Sequence, residues 1–229
     1  MKNKKDNIFG SLVYSVFLPF YTILTAITIT IGISCKIIKE NMLYEIVRGW
    51  AKFNLKMLQL LTGLKVEYEN VPKNMSGQII ASEHQSTLEI LALIAIVPRP
   101  VFVLKKSLMK LPFFGYCLRK LGMIPVDRKN RNVHWMDEAQ KQLDLGKNLI
   151  IFPEGTRAEF GKELEYKAGV FRIAKYLNKQ IIPVAINAGI FWRRRSWIKK
   201  RGTSIISFGQ PINADPIILR KTIHKLVPR

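Results

Sequence analysis

The sequence predicts an α/β fold: a layered sheet with helices on both faces, preceded by an N-terminal membrane-associated helical element. Three observations lead there. Residues 8–35 carry no charged side chain over 28 positions. From Val66 onward, short β-rich runs alternate with helical patterns, the mark of a sheet covered by helices. Hydrophobic residues make up 48% of the 229, enough for one α/β domain with its own core and an appendage.

The uncharged run is longer than the roughly 20 apolar residues a helix needs to cross a bilayer. It also exceeds the apolar core of a signal peptide, about 7–15 residues, so a retained anchor is expected rather than a cleaved leader. Lys2, Lys4 and Lys5 precede it, and Lys36 and Lys39 follow. With both flanks basic, the positive-inside rule selects no orientation. Pro19 sits mid-run, where it can kink a helix. A tilted span and a bent, one-leaflet hairpin both fit. Over residues 42–61, Leu43, Ile46, Val47, Trp50, Phe53, Met57, Leu58 and Leu61 recur at spacings of three and four. That is an amphipathic helix, packed on the core or lying in the membrane interface.

Beyond it, strands are expected near 65–68, 78–82, 101–104, 123–126, 148–152, 181–186 and 204–208. Helices are expected near 87–97, 113–121, 133–145, 169–177 and 216–226. Asp215 caps the last of these, with Pro216 at its first position. There is no internal repeat and no Gly/Ser linker. The natural division is an anchor and amphipathic helix over 1–61 and a catalytic domain over 62–229.

Lys+Arg is 37 and Asp+Glu 16, a net charge of +21. Such a balance calls for a polyanionic partner: nucleic acid, anionic lipid or a phosphorylated small molecule. Cys35 and Cys117 have no metal-ligand spacing, and His84, His134 and His224 lie far apart. No metal site and no structural disulfide are expected.

Three stretches carry chemistry. In His84-Gln85-Ser86-Thr87-Leu88-Glu89 an apolar strand runs into a helix start. On one regular helix His84 and Glu89 would point about 140° apart. They meet only if His84 sits in the loop and folds back over the first turn. Ser86 and Glu89 also have capping-box spacing, so Glu89 has a purely structural reading as well. The two readings are compatible: a carboxylate in the first turn can fix the tautomer of an imidazole that takes a proton near neutral pH. In Phe152-Pro153-Glu154-Gly155-Thr156-Arg157 a buried-strand pattern ends in a glycine and a guanidinium. Open α/β sheets hold ligands at that end of a strand, and Arg offers a phosphate a planar fork. In Gly122-Met123-Ile124-Pro125-Val126-Asp127-Arg128 another short strand ends in an arginine. Upstream, Lys105 opens a stretch mixing cations with Leu108, Leu111 and Phe113, suited to an amphiphile with an anionic head and an apolar tail.

Four blocks in order, HQSTLE (84–89), GMIPVDR (122–128), FPEGTR (152–157) and IIPVAIN (181–187), resemble the 1-acyl-sn-glycerol-3-phosphate acyltransferases. The resemblance spans about residues 40 to 210. It implies that His84 deprotonates an acceptor hydroxyl, with Glu89 standing where the family usually has Asp. Arg128, Glu154, Gly155, Thr156 and Arg157 then fall in the lysolipid-binding blocks, with Lys105 beside them. Pro183 is read as structural. The implied reaction moves an acyl group from acyl-CoA or acyl carrier protein to lysophosphatidic acid without a cofactor. Backbone N–H groups at the helix start are the expected oxyanion donors. The implied place is the inner membrane, with the catalytic domain facing the cytoplasm and touching anionic lipids.

Two other readings compete. The acceptor could be a different lysolipid. Or the chain could be a membrane-tethered polyanion binder, since aromatic and basic residues interleave over Phe191–Arg201. They interleave equally at membrane interfaces, and no nucleic-acid motif accompanies them, so no nucleic-acid partner is expected.

Overall fold

The computed structural model describes residues 6–127 and 134–226. Two long helices come first, α1 (Ile8–Ser34) and α2 (Glu40–Thr62). The Asn7 side chain caps α1 through the Gly10 N–H, and Pro19 lies inside the helix. Gly63 ends α2 in the left-handed conformation, with its N–H on the Gln59 carbonyl. Gly10 is where the two helices meet; a Cβ there would collide with the Leu61 carbonyl.

The strands follow: β1 (Leu64–Glu69), β2 (Ile79–Ser82), β3 (Pro100–Lys105), β4 (Ile124–Val126), β5 (Asn148–Ile151), β6 (Ile181–Ile186) and β7 (Gly202–Phe208). Among the described residues they form one sheet in the order β1-β7-β6-β2-β5-β3-β4. The run from β6 to β4 is parallel. β7 is antiparallel to β6 and parallel to β1, so the far edge of the sheet runs the other way.

Interleaved helices are α3 (Leu88–Ile96), α4 (Phe114–Lys120), α5 (His134–Asp144), α6 (Gly169–Tyr176), α7 (Ala188–Phe191) and α8 (Pro216–Leu226). A short 3-10 turn, Lys106–Lys110, follows β3. Asp215 caps α8 through the Ile217 and Ile218 N–H groups at 2.8 and 2.9 Å. α7 was not expected from the sequence, since periodicity does not reveal a one-turn helix.

Strand alternation splits the core into two layers. Ile80, Ile150 and Ile182, paired across the ladder, face one side with residues of α1, α2 and α3. Ile79, Leu149 and Ile181 face the other, with α5, α6 and α8. Ala26, Ile29, Leu43, Tyr44 and Ala51 lie in the same cluster as the sheet residues. The apolar stripe of α2 is thus packed on the core, one of the two readings its periodicity allowed.

Candidate active site

β2, β5, β3 and β4 are parallel neighbours, so their carboxyl ends share one edge. That edge collects His84 after β2, the Phe152–Arg157 loop after β5, and Lys105 at the exposed end of β3. With strands about 4.8 Å apart, the end of β3 stands roughly 10 Å from that of β2. Arg128, the remaining expected contact, lies outside the described residues.

His84 does sit in the loop and fold back over the first turn of α3. Its Nδ1 is 2.8 Å from Glu89 Oε1. The same oxygen accepts the Gln85 N–H at 2.8 Å and the Ser86 N–H at 2.7 Å. An oxygen that receives two N–H donors is an acceptor, so Nδ1 donates too and Nε2 keeps its lone pair. Glu89 is fully buried. It therefore caps the helix and orients the imidazole with one atom. The Gln85 and Ser86 N–H groups are committed to that carboxylate, which removes both from the donors expected for an oxyanion.

The imidazole stacks on Phe152, with ring centroids 4.1 Å apart. Phe152 packs against the cluster shared by α1, α2 and α3, so the imidazole stands on the side of the sheet that carries the N-terminal helices. Its side chain keeps 14% of its surface open. On the adjacent loop, Gly155 takes φ 65°, a region that L side chains avoid. Arg157 is half-buried and its Nη2 donates to Thr87 Oγ1 at 3.0 Å. Burial pulls the guanidinium down from its ordinary value, against the Glu89 charge. Thr87 carries no signal of this role in the sequence, since only the fold brings the two loops together.

Glu154 is placed differently from Arg157. Its Oε1 lies 3.4 Å from the His84 backbone N–H, and its carboxyl turns into a cleft it shares with Glu83 and Tyr166. The Ala158 N–H holds the His84 carbonyl at 2.7 Å. Gln85 fastens the loop to the next strand end, donating to the Ile186 carbonyl and accepting the Gly189 N–H, both at 2.9 Å. Cys117 is buried and free, its thiol 3.6 Å from the Ala26 carbonyl. Burial pushes that thiol up from its ordinary value, which suits packing rather than nucleophilic attack.

A buried carboxylate orienting an imidazole, an open Nε2 and a neighbouring guanidinium form a general-base site for an anionic acceptor. The chain belongs to the acyltransferase family: residues 63–187 match the family described as Acyltransferase. It is 31% identical to the 1-acyl-sn-glycerol-3-phosphate acyltransferase of Pseudomonas aeruginosa, over 74% of this chain and 68% of that protein. The enzyme of the same description from Helicobacter pylori is 34% identical over 55% of this chain, and the chain spans 54% of its length. The crystal structure of the 1-acyl-sn-glycerophosphate (LPA) acyltransferase PlsC from Thermotoga maritima has the same fold. Its TM-score is 0.73 at 23% identity, over 96% of this chain and 92% of that one.

Proposed function

We propose that this enzyme transfers an acyl group from an acyl thioester to the sn-2 hydroxyl of 1-acyl-glycerol-3-phosphate, giving phosphatidic acid. The observation that carries the reading is the His84–Glu89 pair at 2.8 Å, one strand away from the loop bearing Arg157. Nε2 takes the proton of the acceptor hydroxyl. The oxygen attacks the thioester carbonyl, and the tetrahedral intermediate collapses with loss of the thiol, which recovers the proton from the imidazolium. Glu89 stabilises that imidazolium, as the acidic member of a triad does. Arg157 receives the phosphate with its remaining N–H groups, helped by Gly155, Thr156, Lys105 and Arg128. Glu154 acts from behind, on the His84 main chain. The relatives named for 1-acyl-sn-glycerol-3-phosphate support the acceptor assignment.

The seat of the enzyme in this reading is one leaflet of a membrane. Among the described residues, α1 alone is long and apolar enough to cross a bilayer. Yet α1 is tied to the rest of the molecule near both ends. Asn7 Nδ2 donates to the Leu61 carbonyl and Ser11 Oγ accepts the Lys199 N–H, at 3.0 and 3.1 Å, while Cys117 contacts Ala26 near the other end. A helix crossing the bilayer would draw those polar contacts and the sheet edge into hydrocarbon, at a cost of several kcal/mol per unsatisfied group. A helix lying in the interface leaves the sheet edge in water and sets the imidazole face toward lipid. The 193–201 loop, with Trp197 exposed among cations, adds an anionic-lipid contact.

The test is product identification by mass spectrometry. Purified enzyme in detergent is given acyl-CoA or acyl-acyl carrier protein and a panel of lysolipids. Phosphatidic acid as the dominant product supports the reading; a product lacking the bare phosphate head would replace the acceptor.

A further inference from the structure

The loop that carries Arg157 is held from two sides. It runs over residues 153–167 without helix or strand, and the Lys167 N–H donates to the Pro153 carbonyl at 2.7 Å. Its ends therefore meet, as in an Ω-loop. The outward arm bears Glu154, Gly155, Thr156 and Arg157. That arm is fastened beside the base, where the Ala158 N–H reaches the His84 carbonyl and Arg157 reaches Thr87. The return arm, 159–166, borders a cleft of about 270 Å³ lined by Glu83 and Gln85, by its own Phe160 and Leu164, and by Arg220 and His224 of α8. Packing on the core seats only Tyr166 of this arm, and Phe160 stays exposed.

The α8 helix supplies the rest. Arg220 Nη1 donates to Glu163 Oε2 at 2.7 Å, and its Nη2 donates to the Leu164 carbonyl at 2.9 Å. The guanidinium carbon lies 4.6 Å from the Tyr166 ring centroid. One turn further on, His224 Nε2 is 3.2 Å from the other Glu163 oxygen. Among the described residues, the hydrogen bonds and ion pairs from 159–166 to other elements all end on these two side chains. An exposed ion pair alone contributes little, and Glu163 is 58% exposed. Here one planar fork meets a carboxylate, a carbonyl and a ring within 163–166, so a single fixed group orders the whole stretch. Arg220 is itself firmly placed: Leu219 and Ile223 are fully buried, and Asp215 caps the helix.

We propose that Arg220 is a positioning residue for acyl transfer: from α8 it clasps the return arm and so fixes the loop whose outward arm presents Arg157 to the phosphate of the acceptor. It touches no reacting atom. Its kinetic part rests on the acyl-transfer reading, whereas the clasp does not. With the return arm released, the outward arm is held on the His84 side alone, and the loop has to be ordered when the phosphate binds. That ordering weakens binding more than it slows the chemical step.

The test uses the full chain in detergent, comparing the parent with Arg220→Ala, Arg220→Lys and Glu163→Ala. Amide hydrogen exchange over 159–166 is read alongside kcat and KM for both substrates. Arg220→Ala is expected to speed exchange in that arm but not in the sheet. It is also expected to raise KM for 1-acyl-glycerol-3-phosphate by roughly 3- to 10-fold, the change that ordering one or two side chains on binding corresponds to. kcat and KM for the acyl thioester are expected to hold. Glu163→Ala leaves α8 intact and is expected to give the same changes to a smaller degree. Arg220→Lys restores the charge without the fork, so it is expected to fall between Arg220→Ala and the parent. If Arg220→Ala fails to fold, Glu163→Ala and Arg220→Lys decide. Faster exchange with an unaltered KM would leave the clasp without a part in the reaction and overturn the positioning role. Equal losses for both substrates, the mark of general damage, would overturn it too. Unaltered exchange in the arm would overturn the clasp itself. A parent without acyl transfer would remove the reaction, and exchange would still decide the clasp.

Discussion

Helices α1 and α3 are both strongly apolar, yet they meet opposite surroundings. α3 buries Ala92 and Leu93 with the sheet residues and Leu88 and Leu91 with Tyr14 and Leu58 of α1 and α2, and its one carboxylate, Glu89, is buried with them. α1 leaves Phe9, Val16 and Phe20 between 65% and 77% exposed. Length separates the two. Nine residues of α3 are covered by the sheet and its neighbours, whereas 27 residues of α1 outreach the domain's core. The difference shows where apolar character is structural and where it is functional. In α3 it makes a dry wall around a single acceptor oxygen. In α1 it stays exposed after folding, the surface that the proposed lipid contact would cover.

The strongest challenge to the α3 side is removal of the base it orients. His84→Ala is expected to lower kcat by about 100- to 10,000-fold, the usual contribution of a positioned general base, with Tm and membrane attachment unchanged. Residual activity near the parent's would end the mechanism. Glu89→Gln sharpens the point, because the amide still fills the space but opposes no imidazolium and presents an N–H toward existing donors. Its expected loss is on the order of 10²- to 10⁴-fold in kcat, and Glu89→Asp is expected to be milder. If the rate per folded molecule stays at the parent's level while Tm drops, Glu89 is a helix cap and nothing more.

Next in size is the anion contact. Arg157→Ala is expected to cost roughly 10- to 150-fold in kcat/KM for 1-acyl-glycerol-3-phosphate, the worth of one charged hydrogen-bonding contact. Arg157→Lys keeps charge without the fork, so it is expected to raise KM more than it lowers kcat. KM for the acyl thioester is the control and is expected to hold steady. Unchanged KM for the phosphate-headed acceptor in Arg157→Ala would move the headgroup away from this loop.

On the α1 side, Phe20→Asp alters only surplus apolar surface. It is expected to weaken vesicle binding by roughly 10- to 150-fold, the worth of about 1.5–3 kcal/mol of buried Phe, and to leave activity in detergent intact. Equal binding would mean that α1 is not the lipid contact. The smallest effect belongs to the 193–201 loop. Replacing Arg193 and Arg195 with Gln is expected to remove about 1 kcal/mol of anionic-vesicle affinity each at low salt. Retention on neutral vesicles is expected to be unaffected, and equal losses on both vesicle types would refute the electrostatic contact.

A tie between α1 and the 193–201 loop could not be read from the sequence. Lys199 is 1% exposed and lies 4.8 Å from the Trp192 ring centroid. Its Nζ donates to the Ser11 and Trp197 carbonyls at 3.3 and 3.0 Å, and also to Ser15 Oγ. In the sequence it is one cation in a basic run, indistinguishable from its solvated neighbours. Only a contact across 188 residues selects it. Glu83 was hidden for a similar reason: beside His84 it reads as an ordinary strand-end carboxylate, while the N–H it accepts comes from Ile186, 103 positions away.

By itself the sequence determined the elements and the chemistry-bearing blocks. Strand runs, the amphipathic stripe of α2, the Asp215 cap and the strand-to-helix loop at His84 are local properties, set by periodicity and by side chains that bond their own neighbours. The tertiary structure decided what those blocks do to one another. Parallel pairing of β2 with β5 brought Arg157 to Thr87 and Glu154 to the His84 backbone. The reversed edge of β1 and β7 and the seat of α1 along the domain were likewise settled by packing. The physical reason is the range of the interactions: helix caps and hydrophobic periods act within a few residues, while strand order and shared burial join residues that chain position leaves far apart.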